Sequence, residues 1–365
     1  MKYNIAVIPG DGIGPEVCAA TMEVLRAVPD VAAKLDFQEL PAGATLYQKT
    51  GVSAPPKTFA ACKAAAAILF GATGLPGVTY PDGTEAGLDI GLKLRFELDL
   101  YANVRLIKLR PGITSVLRHF EPGSIDYVIV RENTEGMYAA RGAGTLLRGE
   151  IATDTIVMTR MGVERIVRTA FELSKQRSGA PRDGRRRVTC VDKSNVLRSY
   201  AFFRSVFDSV AAQYPDIEAD YAYVDAMTVY LVERPDFYDV VVAENMFGDI
   251  ISDLGAGTVG GMGMSPSGET GDHHGFFQAS HGSAPTIAGK NIANPHGTIL
   301  SGALMIRWLG ERNGDDVLRR GAGLIEDAVG SVLESGQGRT IDLGGSASTT
   351  DAVRAVCEHL KANAA

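Results

Sequence analysis

Two short apolar segments that each run into a glycine-rich turn constrain the fold of this 365-residue chain most strongly. The first spans Asn4 to Pro9 and leads through GDGIGPEV into a helical pattern that reaches about Ala27. A strand predicted at Leu35 to Leu40 and a helix predicted at residues 55–64 follow, and this helix runs into the second segment, Ala67 to Gly71. Alternating strands and helices with glycine-rich strand ends indicate a parallel α/β sheet, whose ligands bind beyond the carboxyl ends of its strands.

The turn at residues 10–14 does not carry the usual dinucleotide-binding fingerprint. Its glycines stand as Gly10-x-Gly12-x-Gly14 rather than G-x-G-x-x-G. A tight strand-to-helix turn with Pro15 in the first helical turn explains this pattern. The loop is therefore expected to line a site rather than to bind a nucleotide by itself.

Composition argues against several classes of protein. The formal net charge is −7, so the chain has no overall attraction to nucleic acid or to anionic membranes. No apolar run approaches the roughly 20 residues of a membrane span, and MKYNIAVIPGDG reaches glycine too early for a signal peptide. The four cysteines have no paired spacing and are read as reduced and buried. These features predict a cytoplasmic protein with no nucleic-acid or membrane partner.

A pair of aspartates in NMFGDIISDLGAGTVGGMGM, residues 245–264, is the strongest candidate site. Asp249 and Asp253 stand four residues apart in a helix-like run, so both carboxylates project from one face, one turn apart. Such oxygen ligands suit Mg²⁺ or Mn²⁺, and Asp225, which precedes another helix-like run, offers a third. A solvated helix face is the alternative, but the surrounding glycine and apolar residues favour a site.

Three arginines, a lysine and a tyrosine in the middle of the chain suggest an anionic substrate. Arg95 lies on a helix predicted at Leu92 to Leu100, Arg105 follows YANV, and Arg131 ends a predicted strand. Because arginine binds carboxylates bidentately, this set suits a substrate with more than one carboxylate. Lys193 follows a buried strand and Tyr138 lies beyond Arg131, so both are candidates for proton transfer. Surface ion pairs, an exposed lysine and a core aromatic are the simpler alternatives.

Three remaining segments are expected outside the core. His273 and His274 lie in a glycine-rich loop without a third ligand at metal spacing, so they are read as exposed or gating. Residues 177–187, RSGAPRDGRRR, are basic but lack aromatic residues, which predicts a solvated turn. Residues 140–160 read as a loop and two strands, able to form an arm outside the main sheet.

A series of motifs resembles those of one family, the β-decarboxylating dehydrogenases. This family contains the isopropylmalate, isocitrate, homoisocitrate, tartrate and D-malate dehydrogenases, and the resemblance covers nearly all of the chain. The order of the motifs makes it specific. The motifs are GDGIGPE (10–16), YANVR (101–105), RENTEGMY (131–138), DKSNVLR (192–198), the context of Asp225, NMFGDIISDLGAGTVGGMGM (245–264), HGSAPTIAGKNIANP (281–295) and TIDLGGSAST (340–349).

The resemblance implies a two-domain α/β fold of the isopropylmalate/isocitrate dehydrogenase type, with a large mixed, mostly parallel sheet flanked by helices. Residues 1–100 and 255–365 would form a discontinuous coenzyme-binding domain. Residues 101–254 would form a substrate and dimerisation domain that includes the arm. It also implies a homodimer in which Asp249 and Asp253 of one subunit and Asp225 of the other hold Mg²⁺ or Mn²⁺.

The resemblance assigns roles to the candidate residues. Arg95, Arg105 and Arg131 would grip the carboxylates of a malate-type substrate. Lys193, contributed by the other subunit, would take the hydroxyl proton while hydride leaves C2 for the nicotinamide. The β-keto acid would then lose CO₂, the metal would stabilise the enolate, and Tyr138 would protonate it at C3. The implied substrate pocket also includes Leu92, Asn195 and Val196, and the catalytic set includes Asp225.

The resemblance places the coenzyme along HGSAPTIAGKNIANP, with Asn294 near the adenine. NAD-using members carry Asp where this chain has Thr286, and NADP-using members carry Lys-Tyr where it has Thr286-Ile287. NAD is therefore expected, and NADP stays open. Gln278 stands where the family usually has Glu, near the nicotinamide. The implied coenzyme residues are Ile13, His281, Gly282, Ser283, Ala284, Thr286, Ile287 and Asn294.

The segment Leu88–Leu92 is expected to face the substrate's C3 group. Isocitrate enzymes carry Ser and Asn where this chain has Asp89 and Gly91. The apolar side chains of the segment predict 3-isopropylmalate as the preferred substrate, with D-malate or tartrate, and then isocitrate or homoisocitrate, as alternatives. The motif RENTEG favours a polar substituent instead if Asn133 or Glu135 reaches the pocket.

Two functions of other classes are weighed against a dehydrogenase. A catalytically silent subunit of a hetero-oligomer would be expected to lose a catalytic residue, and Lys193, Tyr138 and the aspartates are all present. A metal- and carboxylate-binding protein without redox chemistry would keep these residues. Coenzyme binding separates that alternative from an enzyme.

Overall fold

The computed structural model describes residues 2–363, which divide into two compact units. Unit 1 comprises the described residues up to Leu100, the short segment Arg110–Thr114 and the described residues from Gly260 onward. Unit 2 comprises Tyr101–Leu109 and Ser115–Val259. Each unit therefore contains at least two separate stretches of chain.

Residues 2–363 form twelve strands. They are β1 (Tyr3–Gly10), β2 (Leu35–Glu39), β3 (Ala67–Ala72), β4 (Ala102–Lys108), β5 (Asp126–Glu132), β6 (Thr145–Leu147), β7 (Ile151–Thr153), β8 (Arg187–Asp192), β9 (Glu218–Tyr223), β10 (Val240–Ala243), β11 (Pro266–Thr270) and β12 (Gly275–Ala279).

The same described residues form twelve α-helices. They are α1 (Gly14–Arg26), α2 (Pro29–Ala32), α3 (Ala44–Thr50), α4 (Pro56–Ala64), α5 (Leu88–Glu97), α6 (Arg160–Gln176), α7 (Arg198–Ala211), α8 (Val224–Glu233), α9 (Asn245–Thr258), α10 (His296–Asn313), α11 (Asp316–Glu334) and α12 (Thr349–Ala362). Short 3₁₀ turns lie at Pro235–Phe237, Met262–Met264 and Ile341–Leu343.

The strands of unit 1 lie in the order β2-β1-β3-β12-β11. All neighbouring pairs are parallel except β11 and β12, which form an antiparallel hairpin. β3, with the sequence AILFGA, is buried along its whole length, as expected of a parallel strand covered on both faces. α10 packs against this hairpin and against α1 and α11. The loops after β1 and β3 therefore lie at the carboxyl ends of adjacent parallel strands.

The strands of unit 2 lie in the order β4-β5-β10-β8-β9. β5, β10, β8 and β9 are parallel, and β4 runs antiparallel to β5. α6 packs against β5, β8, β10 and α7, and the buried core here is built from Val, Ile and Phe side chains of these elements. Parallel pairing brings the carboxyl ends of four strands to one edge, which is where Arg131, Lys193 and Asp225 lie.

The predicted α/β class is confirmed, and the boundaries of several elements differ from those predicted. The second domain was predicted to end at residue 254. Unit 2 ends instead at Val259, because α9 runs unbroken to Thr258. α5 begins at Leu88 rather than Leu92. α12 is capped by Ser348, whose side chain and that of the third helical residue form a reciprocal capping box.

The structure contains three strands that were not predicted, and it confirms the two strands predicted within residues 140–160. The three strands β4, β11 and β12 were not predicted, because glycine and charged residues interrupt the alternation of apolar and polar residues. The two strands predicted within residues 140–160 are β6 and β7, which form a separate antiparallel sheet with exposed side chains. None of the helices formed by residues 2–363 combines the length and apolar character needed to cross a bilayer.

Candidate active site

The two aspartates of the central motif project from α9, as their spacing predicted. Glu244 caps this helix by accepting hydrogen bonds from the backbone N–H groups of Met246 and Phe247. Burial raises the pKa of Glu244 above its usual value. The side chains of Asp249 and Asp253 on this helix stay 34% and 42% exposed. They are therefore accessible to ligands, while the cap holds their helix in place.

Arg105 joins the two aspartates. It lies on β4, and its Nη2 donates to Oδ1 of Asp249 over 3.1 Å while its Nη1 donates to Oδ1 of Asp253 over 3.0 Å. The same Nη1 also donates to Oγ of Ser252 over 2.8 Å. Its Nε is buried and has no hydrogen-bond partner among residues 2–363. One guanidinium thus holds both carboxylates side by side.

Arg131, at the end of β5, supplies a second positive charge to this cluster. Its Nη1 donates to Asp249, and its Nε and Nη2 donate to Oδ1 of Asn245 over 3.1 and 2.7 Å. Asn245 is the first residue of α9 and follows β10, the parallel neighbour of β5, so the pairing register brings the two residues together. The hydroxyl of Tyr138 donates to Oδ2 of Asp249 over 3.4 Å. Of the predicted site residues, Tyr138, two of the three arginines and two of the three aspartates therefore meet here.

The cluster has no net charge when its carboxyls are ionised, since two guanidiniums face two carboxylates. Burial raises the pKa of Asp253, and the Asp249 charge acts in the same direction, while Arg105 opposes both. Burial thus favours the protonated form of this carboxyl more than exposure at the surface would. The donor set of carboxylate oxygens suits Mg²⁺ or Mn²⁺.

Lys193 and Asp225 form a second cluster in unit 2. Lys193 follows β8, and Asp225 lies in the first turn of α8, directly after β9. Because β8 and β9 are parallel, with Asp192 opposite Tyr223, the two side chains emerge at the same edge. Nζ of Lys193 donates to Oδ1 of Asp225 over 2.6 Å, and this hydrogen bond lowers the pKa of Asp225.

No group of three or more His, Cys, Asp or Glu side chains in residues 2–363 is arranged to hold a metal ion. Asp249 and Asp253 provide two carboxylates on one helix, while Asp225 pairs with Lys193 elsewhere in the unit. A metal site completed by Asp225 from a second copy of the chain stays a prediction. Val196 and Asn195, predicted in the substrate pocket, lie exposed in the turn that Lys193 opens.

The acidic residues of RENTEG are structural, which removes the main reason to expect a polar substrate group. Glu132 is buried and accepts hydrogen bonds from the backbone N–H groups of Thr134 and Glu135. The Glu135 carboxylate accepts from both the N–H and the hydroxyl of Thr159, the N-cap of α6. Asn133 is fully buried. The motif therefore secures the loop after β5 to α6.

Three loops of the predicted coenzyme region meet in unit 1 at the carboxyl ends of β1, β3 and β12. The N–H of Ile13 donates to the carbonyl of Ser283 over 2.8 Å, and the Ser283 hydroxyl donates to the carbonyl of Gly74 over 2.6 Å. Gly12 has φ +59°, and a Cβ there would lie 1.8 Å from the Ser283 carbonyl oxygen. Only glycine permits this approach, so the GDGIG turn serves to bring loops together.

Asp11 is a member of this loop cluster that the sequence did not single out. Its buried carboxylate accepts hydrogen bonds from the N–H groups of Ala44, Thr45 and Gly74, over 2.6, 2.8 and 2.9 Å. It thereby links three segments that are distant in sequence. The sequence signal for this role was an acidic residue between two turn glycines, a position where backbone N–H donors are common.

The other predicted coenzyme residues surround this junction. Ile13 packs in a small apolar cluster with partly buried Ala284 and Ile287. His281 contacts the Thr298 hydroxyl through Nε2 over 3.2 Å, and burial lowers its pKa, which favours the neutral imidazole. Gly282 and Thr286 are exposed.

Asn294, predicted near the adenine, is held by residues that the sequence did not point to. Its Nδ2 donates to Oδ2 of Asp342 over 2.9 Å, and its Oδ1 accepts from the N–H of His296 over 3.0 Å. Asp342 also accepts from the Thr340 hydroxyl. The motif TIDLGG therefore orients the amide of Asn294. The pair His273-His274 lies apart from this region, in the turn of the β11–β12 hairpin, with His273 exposed as predicted.

The apolar surface predicted from Leu88, Ile90 and Leu92 is corrected by the structure. The segment is the first turn of α5, so alternate residues lie on opposite faces. Ile90 is fully buried in the core of unit 1, whereas Leu88 is 50% exposed and Leu92 half-buried. The Asp89 carboxylate accepts hydrogen bonds from the Tyr80 hydroxyl and the Gly87 N–H.

Arg95 lies in unit 1, whereas Arg105 and Arg131 lie in unit 2. It occupies the last turn of α5 and is buried. It donates two hydrogen bonds to Glu269 of β11. The sequence offered no sign of this partner, because β11 itself was not predicted.

Comparison with known proteins gives concordant matches over almost the whole chain. The sequence profile of the isocitrate/isopropylmalate dehydrogenase family matches residues 4–356. A 3-isopropylmalate/3-methylmalate dehydrogenase of Methanocaldococcus jannaschii is 42% identical over 360 residues, which cover 98% of this chain and 99% of the relative. A 3-isopropylmalate dehydrogenase of Streptomyces coelicolor is 44% identical over 341 residues, covering 91% and 92%.

Solved structures also match this chain over nearly its whole length. The isocitrate dehydrogenase from Methylococcus capsulatus superposes with a TM-score of 0.85 at 35% identity, covering 98% of this chain and 99% of that one. A β-decarboxylating dehydrogenase from Thermococcus kodakarensis superposes with a TM-score of 0.78 at 39% identity, covering 99% and 96%.

Proposed function

The chain belongs to the isocitrate/isopropylmalate dehydrogenase family and is an NAD(P)-dependent decarboxylating dehydrogenase, and we propose that its substrate is a D-malate derivative, with 3-isopropylmalate preferred. The single observation that carries this proposal is the cluster of Arg105, Arg131 and Tyr138 around Asp249 and Asp253. It combines metal-type ligands, carboxylate-binding groups and a proton donor within one unit.

Asp249 and Asp253 would hold Mg²⁺ or Mn²⁺ together with Asp225 of a second copy. When bound, the ion supplies Lewis-acid stabilisation of the alkoxide and enolate oxygens that form during oxidation and decarboxylation. The charges are consistent with this, because the aspartate–arginine cluster and the Lys193–Asp225 pair are each neutral when ionised. A divalent cation and a doubly charged malate can therefore enter together without leaving a net charge.

Arg105 and Arg131 would bind the carboxylates of the malate core. Both are buried, and the hydrogen bonds that Arg105 donates to Ser252 and Arg131 donates to Asn245 fix the planes of the two guanidiniums. Preoriented donors lose less conformational freedom when an anion binds. This explains why polar residues surround the two buried arginines.

Two groups would move protons at different atoms of the substrate. Nζ of Lys193, held by Asp225, would take the proton of the C2 hydroxyl during oxidation. The hydroxyl of Tyr138, which already donates to Asp249, would give a proton to C3 after decarboxylation. Their placement on separate elements allows each to serve one half of the reaction.

The proposed enzyme is a homodimer with shared sites. α8 and α9, which carry the aspartates, also expose Val229, Val232 and Ile250 by 50%, 43% and 54%. The β6–β7 arm likewise exposes Leu146 and Ile151 by 73% and 55%. Apolar side chains exposed in this number favour a protein partner, and a second copy would cover them while supplying Lys193 and Asp225.

NAD is the proposed coenzyme, bound by the junction of loops around Ile13 and Ser283. It supplies the hydride acceptor when bound. Positions 286 and 287 carry Thr and Ile, so neither offers a cation for a 2′-phosphate. Lys290 is exposed a short distance along the chain and is the residue through which NADP would be accepted. Asn294, oriented by Asp342, would read the adenine.

The proposal is tested by measuring NADH and CO₂ formation with 3-isopropylmalate, D-malate, tartrate and isocitrate, each with Mn²⁺ and with excess EDTA. We expect equal amounts of the two products, the highest kcat/KM with 3-isopropylmalate, and no turnover in EDTA. Isocitrate in first place would overturn the substrate assignment alone. NADH without CO₂, or full activity in EDTA, would overturn the proposed reaction.

A further inference from the structure

The residue directly before Lys193 is a buried carboxylate, Asp192, at the end of β8. Arg204 of α7 donates to it twice, from Nε to Oδ2 over 2.6 Å and from Nη2 to Oδ1 over 3.0 Å. The Asp192 side chain is fully buried, and that of Arg204 is 26% exposed. A bidentate pair of opposite charges fixes direction as well as distance. The end of β8 is therefore fixed to α7 immediately before the proposed base.

The same carboxylate also holds the residue that follows Lys193. The backbone N–H of Ser194 donates to Oδ1 of Asp192 over 2.8 Å. The carbonyl of Lys193 accepts from the N–H groups of Val196 and Leu197, both over 3.1 Å. The backbone is thus hydrogen-bonded on both sides of Lys193. The point from which the lysine side chain extends is therefore set by Asp192 and by the turn.

Arg204 has a second connection to Lys193, through an aromatic ring on β9. Its guanidinium carbon lies 5.3 Å from the centre of the Tyr223 ring and 5.0 Å from that of the Tyr221 ring. Nζ of Lys193 lies 6.0 Å from the centre of the same Tyr223 ring, at the outer limit of a cation–π contact. Tyr223 faces Asp192 in the register of β8 and β9. The Tyr223 ring is therefore a shared contact of both cations.

We propose that Arg204 is a positioning residue that holds the Lys193 ammonium beside Asp225. Nζ of Lys193 donates to Oδ1 of Asp225 over 2.6 Å, yet the two side chains are 26% and 68% exposed. An exposed ion pair of a flexible lysine gains little free energy by itself, because ordering and solvent screening offset the attraction. Fixing the backbone and limiting the side chain reduces that loss and keeps the base in one place. This inference rests on the proposed function of Lys193 as the base.

The test variant is Arg204→Lys. It keeps a cation opposite the buried Asp192 carboxylate, so the variant does not leave that charge unpaired. It replaces the planar fork by a single ammonium, which cannot make the same bidentate pair. The matched control is Arg182→Lys, because Arg182 also forms a bidentate pair in unit 2, with Asp236.

The first measurement is the chemical reactivity of Lys193, which requires no turnover. Trace acetylation with acetic anhydride, read by mass spectrometry of peptides, gives the labelling of Lys193 relative to Lys175. Lys175 is the internal reference because its Nζ donates to Glu172 over 2.9 Å and lies 4.7 Å from the centre of the Tyr214 ring. Arg204→Lys should raise this ratio roughly threefold or more, since an amine that leaves its carboxylate partner loses the hydrogen bond that retains its proton. An unchanged ratio, or an equal rise in Arg182→Lys, would overturn the inference.

The second measurement is the burst of NADH in rapid mixing with 3-isopropylmalate. Arg204→Lys should slow the burst roughly 10- to 100-fold and change KM by less than about twofold, because a displaced base impairs proton transfer rather than substrate binding. A purely structural role would lower the melting temperature and leave the burst rate per folded site unchanged, which would contradict the inference. If the wild-type enzyme oxidised none of the acids, or if Lys193→Ala kept its burst, the proposed function would fail, whatever the labelling ratio.

Discussion

Lys193 donates a 2.6 Å hydrogen bond to Asp225, and the two residues follow neighbouring parallel strands of unit 2. Neither belongs to the cluster built by Asp249 and Asp253 on α9. The chain thus presents two separate, neutral groups of site residues, one with a candidate base and one with a candidate acid. This division underlies the predictions below.

Asp249→Asn is expected to lower kcat by roughly 10³-fold or more, since it removes the negative charge of a proposed metal ligand that also accepts from Arg131 and Tyr138. Steady-state NADH formation at saturating Mn²⁺ measures the effect. Asp216→Asn, at an exposed position of the same unit, is the matched control and should retain full activity. An Asp249→Asn enzyme that keeps more than a tenth of wild-type kcat would contradict the metal assignment.

Lys193→Ala and Tyr138→Phe should affect different half-reactions. Loss of Lys193 should abolish the first burst of NADH in rapid mixing, because no group would take the hydroxyl proton. Tyr138→Phe should retain a burst while steady-state turnover falls by roughly 10²–10⁴-fold, as expected for loss of one general acid. Equal loss of burst and turnover in Tyr138→Phe would show that the two roles are not divided.

Thr286→Asp should sharpen the preference for NAD. A carboxylate at this exposed position can accept from ribose hydroxyls and repel a 2′-phosphate, so the ratio of kcat/KM for NAD⁺ to that for NADP⁺ should rise by roughly tenfold. Lys290→Ala, made in parallel, should weaken the use of NADP⁺ and leave that of NAD⁺ nearly unchanged. A wild-type enzyme that prefers NADP⁺ would refute the expected coenzyme choice.

The two faces of α5 should respond differently to truncation. Ile90→Ala removes a fully buried side chain and should lower the free energy of unfolding by about 2–5 kcal/mol, with little change in substrate ranking. Leu92→Ala should leave stability nearly intact and reduce the preference for 3-isopropylmalate over D-malate by about 1–3 kcal/mol, measured as kcat/KM. The opposite pattern would mean that Ile90 faces the substrate.

Features set by local spacing were predictable from the sequence. Asp249 and Asp253 share a face because α9 is a helix, and the parallel sheet follows from short strands ending in glycine turns. These relationships depend on periodicity and topology, which sequence patterns carry.

Partners distant in sequence were not predictable in the same way. Glu269 pairs with Arg95, which is 174 positions away in sequence. Glu269 lies on a hairpin in which glycine breaks the alternation of apolar and polar residues. Asp342 orients Asn294 from a 3₁₀ turn that has no periodic signature. Ile90 was predicted to line the pocket because the helix was predicted to start at Leu92 and not at Leu88. The buried and exposed faces of its first turn were therefore not distinguished. In each case the deciding contact is tertiary.

The shared site is tested most directly by complementation between two inactive variants. Lys193→Ala and Asp249→Asn are each expected to form inactive homodimers. In a mixed dimer, one site would combine the intact Asp249 of one subunit with the intact Lys193 of the other, and the second site would carry both defects. Random co-expression should therefore restore about a quarter of wild-type activity, since half of the dimers are mixed and each has one working site. Mixed dimers, purified with two different tags, that show no activity would contradict a site assembled from two subunits.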